Sequence, residues 1–207
     1  MPENLHKLFV ISSPSGGGKT SLINKVFEDS RSANFEKSIS DTSRQKRQGD
    51  LEGKDYYFLS EKDFKEKIKK EEYVEYATVF GNFYGTSKNE IKTKYNNSNL
   101  VLELDWQGAY AVKKLFDDAK LIFLVPPSLD DLKQRLIKRN LDSSESIENR
   151  LSEAKKEISK SEMYDFLVLN DDFDRAFEDL SQILFNGISP KDFNSRVSKD
   201  LIERLVE

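Results

Sequence analysis

Residues 8–20 have the sequence LFVISSPSGGGKT, in which a short apolar run leads into a glycine-rich turn and a Lys-Thr pair. The apolar part, Leu8–Ser12, predicts a buried strand, and Ser21–Asp29 predicts a helix. Ser13–Thr20 fits the P-loop pattern, with serine at the position of the first glycine. Strand, turn and helix in this order favour binding of a nucleoside triphosphate.

The residue types of this loop explain that chemistry. Glycines let the backbone curl so that successive N–H groups face one anion, and the helix N-terminus adds partial positive charge. Lys19 can reach the β- and γ-phosphates, and the Thr20 hydroxyl can join the Mg²⁺ shell. A glycine-rich turn that merely ends a strand would not explain Lys19-Thr20 at this offset. GTPases, ATPases and kinases all share the motif, so the rest of the chain must decide between them.

Composition excludes several classes of protein. The chain has 207 residues, with 33 Lys plus Arg and 37 Asp plus Glu, so its formal net charge is −4. This balance argues against a broad nucleic-acid surface. There is no cysteine, which excludes disulfide scaffolds, Fe–S clusters and thiol nucleophiles, and the single histidine, His6, disfavours histidine metal sites and Ser-His-Asp triads.

Hydropathy along the chain predicts neither a membrane span nor a signal peptide. The longest stretch without a charged side chain is Tyr76–Ser87, whereas a spanning helix needs about 20 mostly apolar residues. Residues 1–7 lack a basic start and an apolar run. We therefore expect a cytoplasmic protein that binds no membrane and no nucleic acid. A monomer and a homo-oligomer both stay open.

Apolar patterning predicts an α/β fold. Four short runs without in–out alternation indicate strands buried on both faces of a parallel sheet: Leu8–Ser12, Leu100–Leu104, Leu121–Val125 and Phe166–Leu169. Helical spacing of apolar residues follows from Leu129, Ile147 and Phe173. Strand–helix alternation of this kind is typical of a doubly wound parallel sheet.

Three segments depart from that rhythm in the 1–207 domain. Residues 37–86 predict a small inserted α+β subdomain, with strands at Tyr56–Ser60 and Tyr73–Phe80 around a helix at Glu61–Glu72. Residues 138–150, basic and polar without an apolar run, predict an irregular lid. Residues 7–36 and 87–186 form the expected core, and 187–207 a C-terminal extension in which Val197, Leu201 and Leu205 predict a docked or interfacial helix.

Two arginines, Arg44 and Arg47, stand three residues apart in the segment 42–50. Arginines can bind one phosphate through bidentate hydrogen bonds. Tyr56 and Tyr84 would add neutral phenolic donors, which suit a monophosphate that is held and later released. A solvated basic loop is the usual interpretation of such a cluster, but the P-loop upstream and the tyrosines downstream favour phosphate binding.

At these residues the sequence resembles the guanylate kinase family. The run 42–50, with Gly53 and Tyr56–Phe58, is similar to that family's signature segment and lies at the expected distance from the P-loop. Further matches follow in order, over roughly residues 7–186, at Val74–Ala77, Gly81–Thr86, Asp105–Gly108, Pro126–Ser128 and Asn170–Asp172. The ordered series is far more specific than any one motif. It implies a P-loop NTPase core, an inserted nucleoside-monophosphate subdomain and a basic lid.

The resemblance implies the reaction ATP + GMP → ADP + GDP, with dGMP as a second acceptor and Mg²⁺ as cofactor. It also implies a role for each site residue. Glu103 stands where many members carry Asp, which leaves the reach of that carboxylate open. The implied GMP contacts are Ser40, Arg44, Arg47, Tyr56, Glu75, Tyr84, Thr86 and Glu103. The implied ATP contacts are Ser13, Pro14, Ser15, Gly16, Gly17, Gly18, Lys19, Thr20 and Asn170, the last near adenine.

Guanine chemistry agrees with this assignment. Guanine presents N1–H and an exocyclic amine as donors and O6 as an acceptor, so Glu75 can accept both donors and Thr86 can donate to O6. Adenine would leave Glu75 facing a lone pair, and a wrong base that leaves buried polar groups unpaired is strongly rejected. The alternative is that Glu75 is a solvent-facing strand residue.

The transferring phosphoryl group needs in-line geometry and cations rather than covalent help. Asp105 ends a buried strand, where it can hold Mg²⁺ together with Thr20, cap the next helix, or do both. Arg135 and Arg139 share one helical face. With Arg150 and Lys19 they are the expected catalytic cations, and the lid arginines would exclude water on closure. A solvated helix face is the alternative.

Three other functions stay open. One is a kinase of the same fold that acts on another acceptor, such as a ribose bisphosphate. A second is a non-enzymatic module that binds phosphopeptides, which the intact Gly18-Lys19-Thr20 disfavours. A P-loop GTPase is the third, but the sequence has no N-K-x-D motif.

Overall fold

The computed structural model describes residues 6–47, 49–79, 81–138 and 144–207. Two short 3₁₀ helices, Ser30–Asn34 and Ser161–Met163, accompany the main elements. In chain order those are β1 (Leu8–Ser12), α1 (Lys19–Glu28), β2 (Phe35–Lys37), β3 (Asp41–Thr42), β4 (Tyr57–Phe58), α2 (Glu61–Lys69), β5 (Tyr73–Val79), β6 (Asn82–Ser87), α3 (Lys88–Tyr95), β7 (Asn99–Glu103), α4 (Trp106–Leu115), β8 (Lys120–Val125), α5 (Leu129–Lys138), α6 (Ser144–Ile158), β9 (Phe166–Leu169), α7 (Phe173–Leu184) and α8 (Lys199–Val206).

The core is a parallel sheet with the strand order β2-β7-β1-β8-β9. Strand β1 lies at its centre, and all five of its residues are buried. Phe9 and Ile11 face one side, where they pack with α1 and α7. Leu8 and Val10 face the other side, with α3, α4, α6 and α8. Helices on both faces of a parallel sheet confirm the predicted α/β doubly wound class.

A second sheet, in the order β4-β3-β6-β5, lies within the predicted insertion. Strand β6 pairs antiparallel with β3 and β5, while β3 and β4 are parallel. The buried Phe64 ring of α2 anchors this sheet by stacking on Tyr73 and Phe83, at centroid distances of 4.5 and 5.3 Å. The core strand β2 ends at Lys37, one residue beyond the predicted core segment 7–36. Strand β6 ends at Ser87, one residue beyond the predicted insertion 37–86.

Several predicted element limits are wrong for local reasons. Helix α1 begins at Lys19 rather than Ser21, because the left-handed Gly18 (φ 86°) is already its N-cap. Helix α2 ends at Lys69 rather than Glu72, since Glu71 takes the left-handed conformation (φ 54°). Strand β4 covers only two of the five predicted residues.

The irregular lid is also corrected. Helix α6 begins at Ser144, so residues 144–150 are helical rather than irregular. Of the remaining lid, Lys138 is the last residue of α5, and 139–143 lie outside the described residues, as does Phe80 at the predicted end of β5.

The C-terminal segment folds back onto the core. Arg196 binds Asp171 at 2.7 Å and Asp179 at 3.0 Å, and Leu205 of α8 is 2% exposed in the cluster that contains Ile158 of α6. The extension therefore ends in a docked helix, which is one of the two alternatives that its apolar spacing left open. Among the helices that the structure describes, none has the length and apolarity needed to cross a membrane.

Candidate active site

The P-loop lies between β1 and α1, and its backbone is held in the curled shape that an anion needs. The Gly17 N–H donates to the Pro14 carbonyl at 2.8 Å, and Gly16 and Gly18 adopt positive φ angles of 84° and 86°. The N-cap residue of α1 is Gly18, and no side chain among the described residues caps the first turn of this helix. Its N–H groups are therefore available to an anion rather than satisfied by a capping oxygen.

Lys19 lies at the C-terminal edge of the core sheet. Its Nζ donates to the Leu104 carbonyl at 3.1 Å. Burial lowers the pKa of Lys19, and the nearby carboxylates of Glu103, Glu157 and Asp105 counteract that effect. Since an ammonium has three donors, Lys19 retains capacity for a phosphate.

Glu103, at the end of β7, links the P-loop to β2, the edge strand of the core sheet. One carboxylate oxygen accepts from the Thr20 hydroxyl at 2.6 Å, and the other binds Lys37 Nζ at 2.8 Å. Burial would raise the pKa of Glu103, but Lys37, Thr20 and Lys19 outweigh it and lower the pKa. Both oxygens thus have partners within the chain, and the implied contact of Glu103 with GMP stays a prediction.

Asp105 caps α4, since its Oδ1 accepts from the Gly108 N–H at 2.8 Å. It lies two residues beyond Glu103, whose carboxylate accepts the hydrogen bond from Thr20. Mg²⁺ prefers oxygen ligands and is usually held by one or two carboxylates plus substrate phosphates. The donor set of Thr20 and Asp105 fits such an ion, while the described residues contain no cluster of three or more metal-ligating side chains. The capping alternative holds, and the metal role stays a prediction.

Arg135, in α5, and Asn170, directly after β9, approach the P-loop. Arg135 Nη2 donates to the Asn170 carbonyl at 3.0 Å and pairs with Asp131 at 2.6 Å. The 5%-exposed Asn170 uses its amide nitrogen on the Gly17 carbonyl at 2.6 Å. A methyl group at Gly18 would lie 2.6 Å from that nitrogen, so glycine is required for this close approach. The structure therefore shows Asn170 fixing the P-loop, and its contact with adenine stays a prediction.

Of the other two predicted lid arginines, the structure describes only Arg150. Arg150 lies in the second turn of α6 and is partly buried. Arg139 lies outside the described residues. Its expected sharing of a helical face with Arg135 therefore stays untested.

The predicted acceptor-phosphate residues cluster beside the second sheet. The Arg44 guanidinium, 11% exposed, binds Asp50 at 2.9 Å and lies 5.5 Å from the centre of the Tyr56 ring. Tyr56 and Tyr84 pack edge to face at 5.8 Å. The Asp50 carboxylate and then the Tyr84 hydroxyl raise the pKa of Arg44. Arg47 is exposed, and its backbone N–H donates to Asp50 at 2.7 Å.

The predicted base-reading residues also lie together. Glu75 and Thr86 are direct partners in the β5–β6 ladder, and Thr86 Oγ1 lies 3.4 Å from Ser40 Oγ. Burial raises the pKa of Glu75, although a hydrogen bond from Thr86 opposes the shift. A methyl group at Gly108 would lie 3.1 Å from Glu75 Cγ, so this glycine lets α4 approach β5. Glu75 is thus partly buried between two elements rather than solvent-facing.

One cavity of about 330 Å³ joins the two halves of the site. The P-loop contributes Lys19 and Thr20, β7 contributes Glu103, and the second sheet contributes Thr86. The remaining polar residues that line it include Lys37, Ser38, Ser40, Lys54, Asp55 and Tyr56. Groups suited to a triphosphate and groups suited to a monophosphate therefore face one cleft.

Comparison with known proteins agrees with this geometry. The guanylate kinase family profile matches residues 5–187. The chain is 44% identical to the guanylate kinase of Wolbachia sp. subsp. Brugia malayi, over 88% of this chain and 93% of that protein. It is 47% identical to the guanylate kinase of Hahella chejuensis, over 86% and 85%. The crystal structure of guanylate kinase from Anaplasma phagocytophilum superposes with a TM-score of 0.68 at 33% identity, over 90% of this chain and 88% of that chain.

The chain belongs to the guanylate kinase family.

Three residues at the candidate site of this guanylate kinase fold were not predicted from the sequence. Lys37 binds Glu103 although 66 positions separate them, and Lys54 lines the cavity from inside the signature segment. Glu157 lies near Lys19 from the far end of α6. Each is one charged residue among many in a chain with 34% charged residues. Only their contacts across the fold distinguish them.

Proposed function

We propose that the protein is an ATP:GMP phosphotransferase, which transfers the γ-phosphoryl group of ATP to GMP. Membership of the guanylate kinase family supports this activity. The observation that carries it is the single cleft lined both by Lys19 and Thr20 and by Ser40, Tyr56 and Thr86. Two anionic substrates can be brought together there by separate groups of residues.

On the donor side, the P-loop from Ser13 to Thr20 would hold the ATP phosphates through backbone N–H groups. Lys19 would bind the β- and γ-phosphates, because its buried ammonium already lies at the sheet edge. Asn170 would support ATP binding indirectly, because its side-chain amide holds the Gly17 carbonyl of the P-loop. Thr20 and Asp105 would hold Mg²⁺, which when bound neutralises charge on the β- and γ-phosphates.

On the acceptor side, the GMP phosphate would compete with Asp50 for the Arg44 guanidinium. Arg47, Tyr56 and Tyr84 would complete the phosphate site. Arg44 suits this task because it is packed against an aromatic ring and largely shielded from water, which strengthens a charge-assisted hydrogen bond.

Glu75, Thr86 and Ser40 would read guanine. The Glu75 carboxylate would accept from N1–H and the exocyclic amine, and the Thr86 hydroxyl would donate to O6. Burial raises the pKa of Glu75, so a base that offers it no donor leaves a costly unpaired group. A guanine satisfies that group, which favours GMP and dGMP over other acceptors.

Transfer itself requires alignment and positive charge. The second pKa of a phosphate monoester is about 6, so the attacking GMP oxygen is largely deprotonated at neutral pH and no general base is required. Arg135, which reaches the P-loop through Asn170, and the lid residues Arg139 and Arg150 would stabilise charge on the migrating phosphoryl group. Their closure would exclude water and so suppress ATP hydrolysis.

The test is an ADP-release assay with ATP, Mg²⁺ and a panel of acceptors. The panel contains GMP, dGMP, IMP, AMP, CMP, UMP and ribose 1,5-bisphosphate. We expect turnover with GMP and dGMP, and weaker turnover with IMP, which lacks only the exocyclic amine. Lys19→Ala should reduce kcat by at least about 100-fold. Lys25→Ala, at a 45%-exposed lysine on the same helix, should leave it unchanged.

Two outcomes would overturn the proposal. Inert GMP together with turnover of ribose bisphosphate would assign the fold to a different acceptor. No turnover with any acceptor, combined with binding of a phosphopeptide, would favour a non-enzymatic module.

A further inference from the structure

The C-terminal extension is attached to the edge of the core sheet. Strand β9 is the last strand in the sheet order and pairs with β8, so the backbone groups on its other side need partners from elsewhere. Two consecutive residues of the extension supply donors. The Ser195 hydroxyl donates to the Leu167 carbonyl at 2.6 Å, and Arg196 Nη2 donates to the Leu169 carbonyl at 2.9 Å. The extension therefore binds the edge strand through its side chains.

The guanidinium of Arg196 binds two carboxylates as well. Its Nη1 pairs with Asp171 at 2.7 Å, and its Nη2 and Nε bind Oδ2 of Asp179, in α7, at 3.0 and 3.2 Å. The Arg196 side chain is 29% exposed and that of Asp179 is 16% exposed. Charge-assisted hydrogen bonds to a planar guanidinium have a defined geometry, which the single ammonium of a lysine cannot reproduce. Arg196 therefore fixes the end of β9 relative to α7.

This guanidinium binds both chain neighbours of Asn170, namely Leu169 and Asp171. Asn170 in turn contacts the donor side of the cleft. Its side-chain amide donates to the Gly17 carbonyl of the P-loop at 2.6 Å, and its own carbonyl accepts from Arg135 at 3.0 Å. A continuous series of hydrogen bonds therefore leads from the extension to the P-loop.

Little free space surrounds the contact between Asn170 and the P-loop. Asn170 is 5% exposed, and its amide nitrogen lies 2.6 Å from the position that a Cβ atom would take at Gly18. A shift of Asn170 toward the P-loop would meet the backbone, and a shift away would break the hydrogen bond to Gly17. The position of Asn170 therefore depends on how the residues on either side of it are held.

We propose that Arg196 is a positioning residue for ATP binding, which holds the residues on both sides of Asn170 and thereby keeps Asn170 on the Gly17 carbonyl of the P-loop. The inference rests on the proposed function, since it takes the P-loop as the donor site. The family profile ends at residue 187, so Arg196 lies beyond the segment that the profile matches. Arg196 itself contacts no nucleotide in this scheme.

The first test measures nucleotide binding rather than turnover, so that it stands apart from the proposed function. Dissociation constants for ATP and for GMP are measured separately by calorimetry, with EDTA present, at a temperature at which every variant is folded. We expect Arg196→Ala to raise the ATP dissociation constant at least about fivefold and to leave that for GMP within about twofold of wild type. Arg196→Lys should recover only part of the loss, because an ammonium cannot bind all three acceptors.

A double-variant cycle tests whether the effect passes through Asn170. In an Asn170→Ala background, Arg196→Ala should change the ATP dissociation constant less than about twofold. Equal effects in both backgrounds would overturn the inference. If Asn170→Ala does not fold, Asp171→Ala, at a 31%-exposed side chain, takes its place in the cycle, and strictly additive effects of Asp171→Ala and Arg196→Ala would overturn the inference in the same way.

The matched control is Arg204→Ala, which removes an exposed arginine from the same extension. Arg204 lies on α8, where its Nε donates to the Asp200 carbonyl at 3.3 Å. This variant should keep both dissociation constants within about twofold of wild type. A fivefold rise in the ATP constant for Arg204→Ala as well would assign the effect to the net charge of the extension and overturn the role of Arg196.

A purely structural role of Arg196 gives a different pattern. Arg196→Ala would then lower the free energy of unfolding in urea, while the dissociation constants for ATP and GMP would stay unchanged or rise equally, and either result would overturn the inference. A wild-type protein that fails to turn over GMP refutes the proposed function, whereas the ATP-binding measurements still decide the role of Arg196.

Discussion

Replacement of Glu157 by Gln should make the protein more stable, and the gain should grow with pH. Burial raises the pKa of Glu157 from 4.5 to about 7 in the folded state. Between these two values the folded protein binds more protons than the unfolded chain, so its stability falls as pH rises. The loss is absent below about pH 4.5 and complete above about pH 7. Glutamine does not titrate and escapes it.

The magnitude follows from the same two pKa values. A difference of about 2.5 units corresponds to about 3 kcal/mol, at 1.36 kcal/mol per unit. The linkage expression gives a penalty of about 0.8 kcal/mol at pH 5, about 2 at pH 6 and about 3 at pH 7 and above. For a chain of this size, about 3 kcal/mol corresponds to roughly 6–12 °C in Tm.

The assay is urea unfolding of wild type and Glu157→Gln at pH 5, 6, 7 and 8, followed by the fluorescence of Trp106. All other titrating groups are common to both proteins and cancel in the difference. The difference in unfolding free energy should increase by about 2.5 kcal/mol from pH 5 to pH 8. Glu153→Gln should give a flat difference, because Glu153 is exposed. If the unfolding free energies of wild type and Glu157→Gln changed with pH in parallel, the conclusion that burial raises the pKa of Glu157 would be refuted.

Three further variants separate the acceptor site, the base-reading site and the docked helix. Arg44→Ala should raise the KM for GMP about 10- to 100-fold, because a hydrogen bond to a charged group contributes about 1.5–3 kcal/mol; an equal rise in the KM for ATP would contradict separate sites. Glu75→Gln should reduce the ratio of kcat/KM for GMP over AMP about 100-fold or more, and an unchanged ratio would remove Glu75 from base reading. Leu205→Ala should lower the unfolding free energy by about 2–5 kcal/mol with the KM for GMP unchanged, as measured by urea unfolding and steady-state kinetics; full stability would show that α8 contributes little to the core.

The parts of the fold that the sequence predicts well are those whose signal is contiguous. Strand β1 and the P-loop that follows it have the predicted limits at Leu8–Ser12 because an apolar run and a glycine turn adjoin. Strand β6 (Asn82–Ser87) was not predicted. It contains Asn82, Tyr84 and Gly85 rather than an apolar run, and its strand conformation depends on pairing with β3 and β5. Pairing partners of this kind are a tertiary effect that local propensity does not encode.

Some residues of the candidate site could be named from the sequence, and others could not. Lys19, Arg44 and Glu75 could be named in advance because each belongs to a run of residues with a recognisable chemical pattern. Lys37 could not, since its role comes from one contact with a residue 66 positions away. The limits of prediction therefore follow sequence separation rather than chemical importance.

Glu103 shows how such distant contacts connect parts of the cleft. Its carboxylate links the Thr20 hydroxyl of the P-loop to Lys37 of β2, and all three residues line the cleft. Phosphate binding near Thr20 or Lys37 must alter the charge balance that lowers the pKa of Glu103. A nucleotide in one half of the cleft therefore changes the electrostatics of the other half through this carboxylate. For that reason the donor and acceptor sites, although lined by different residues, are expected to be coupled rather than independent in their substrate affinities.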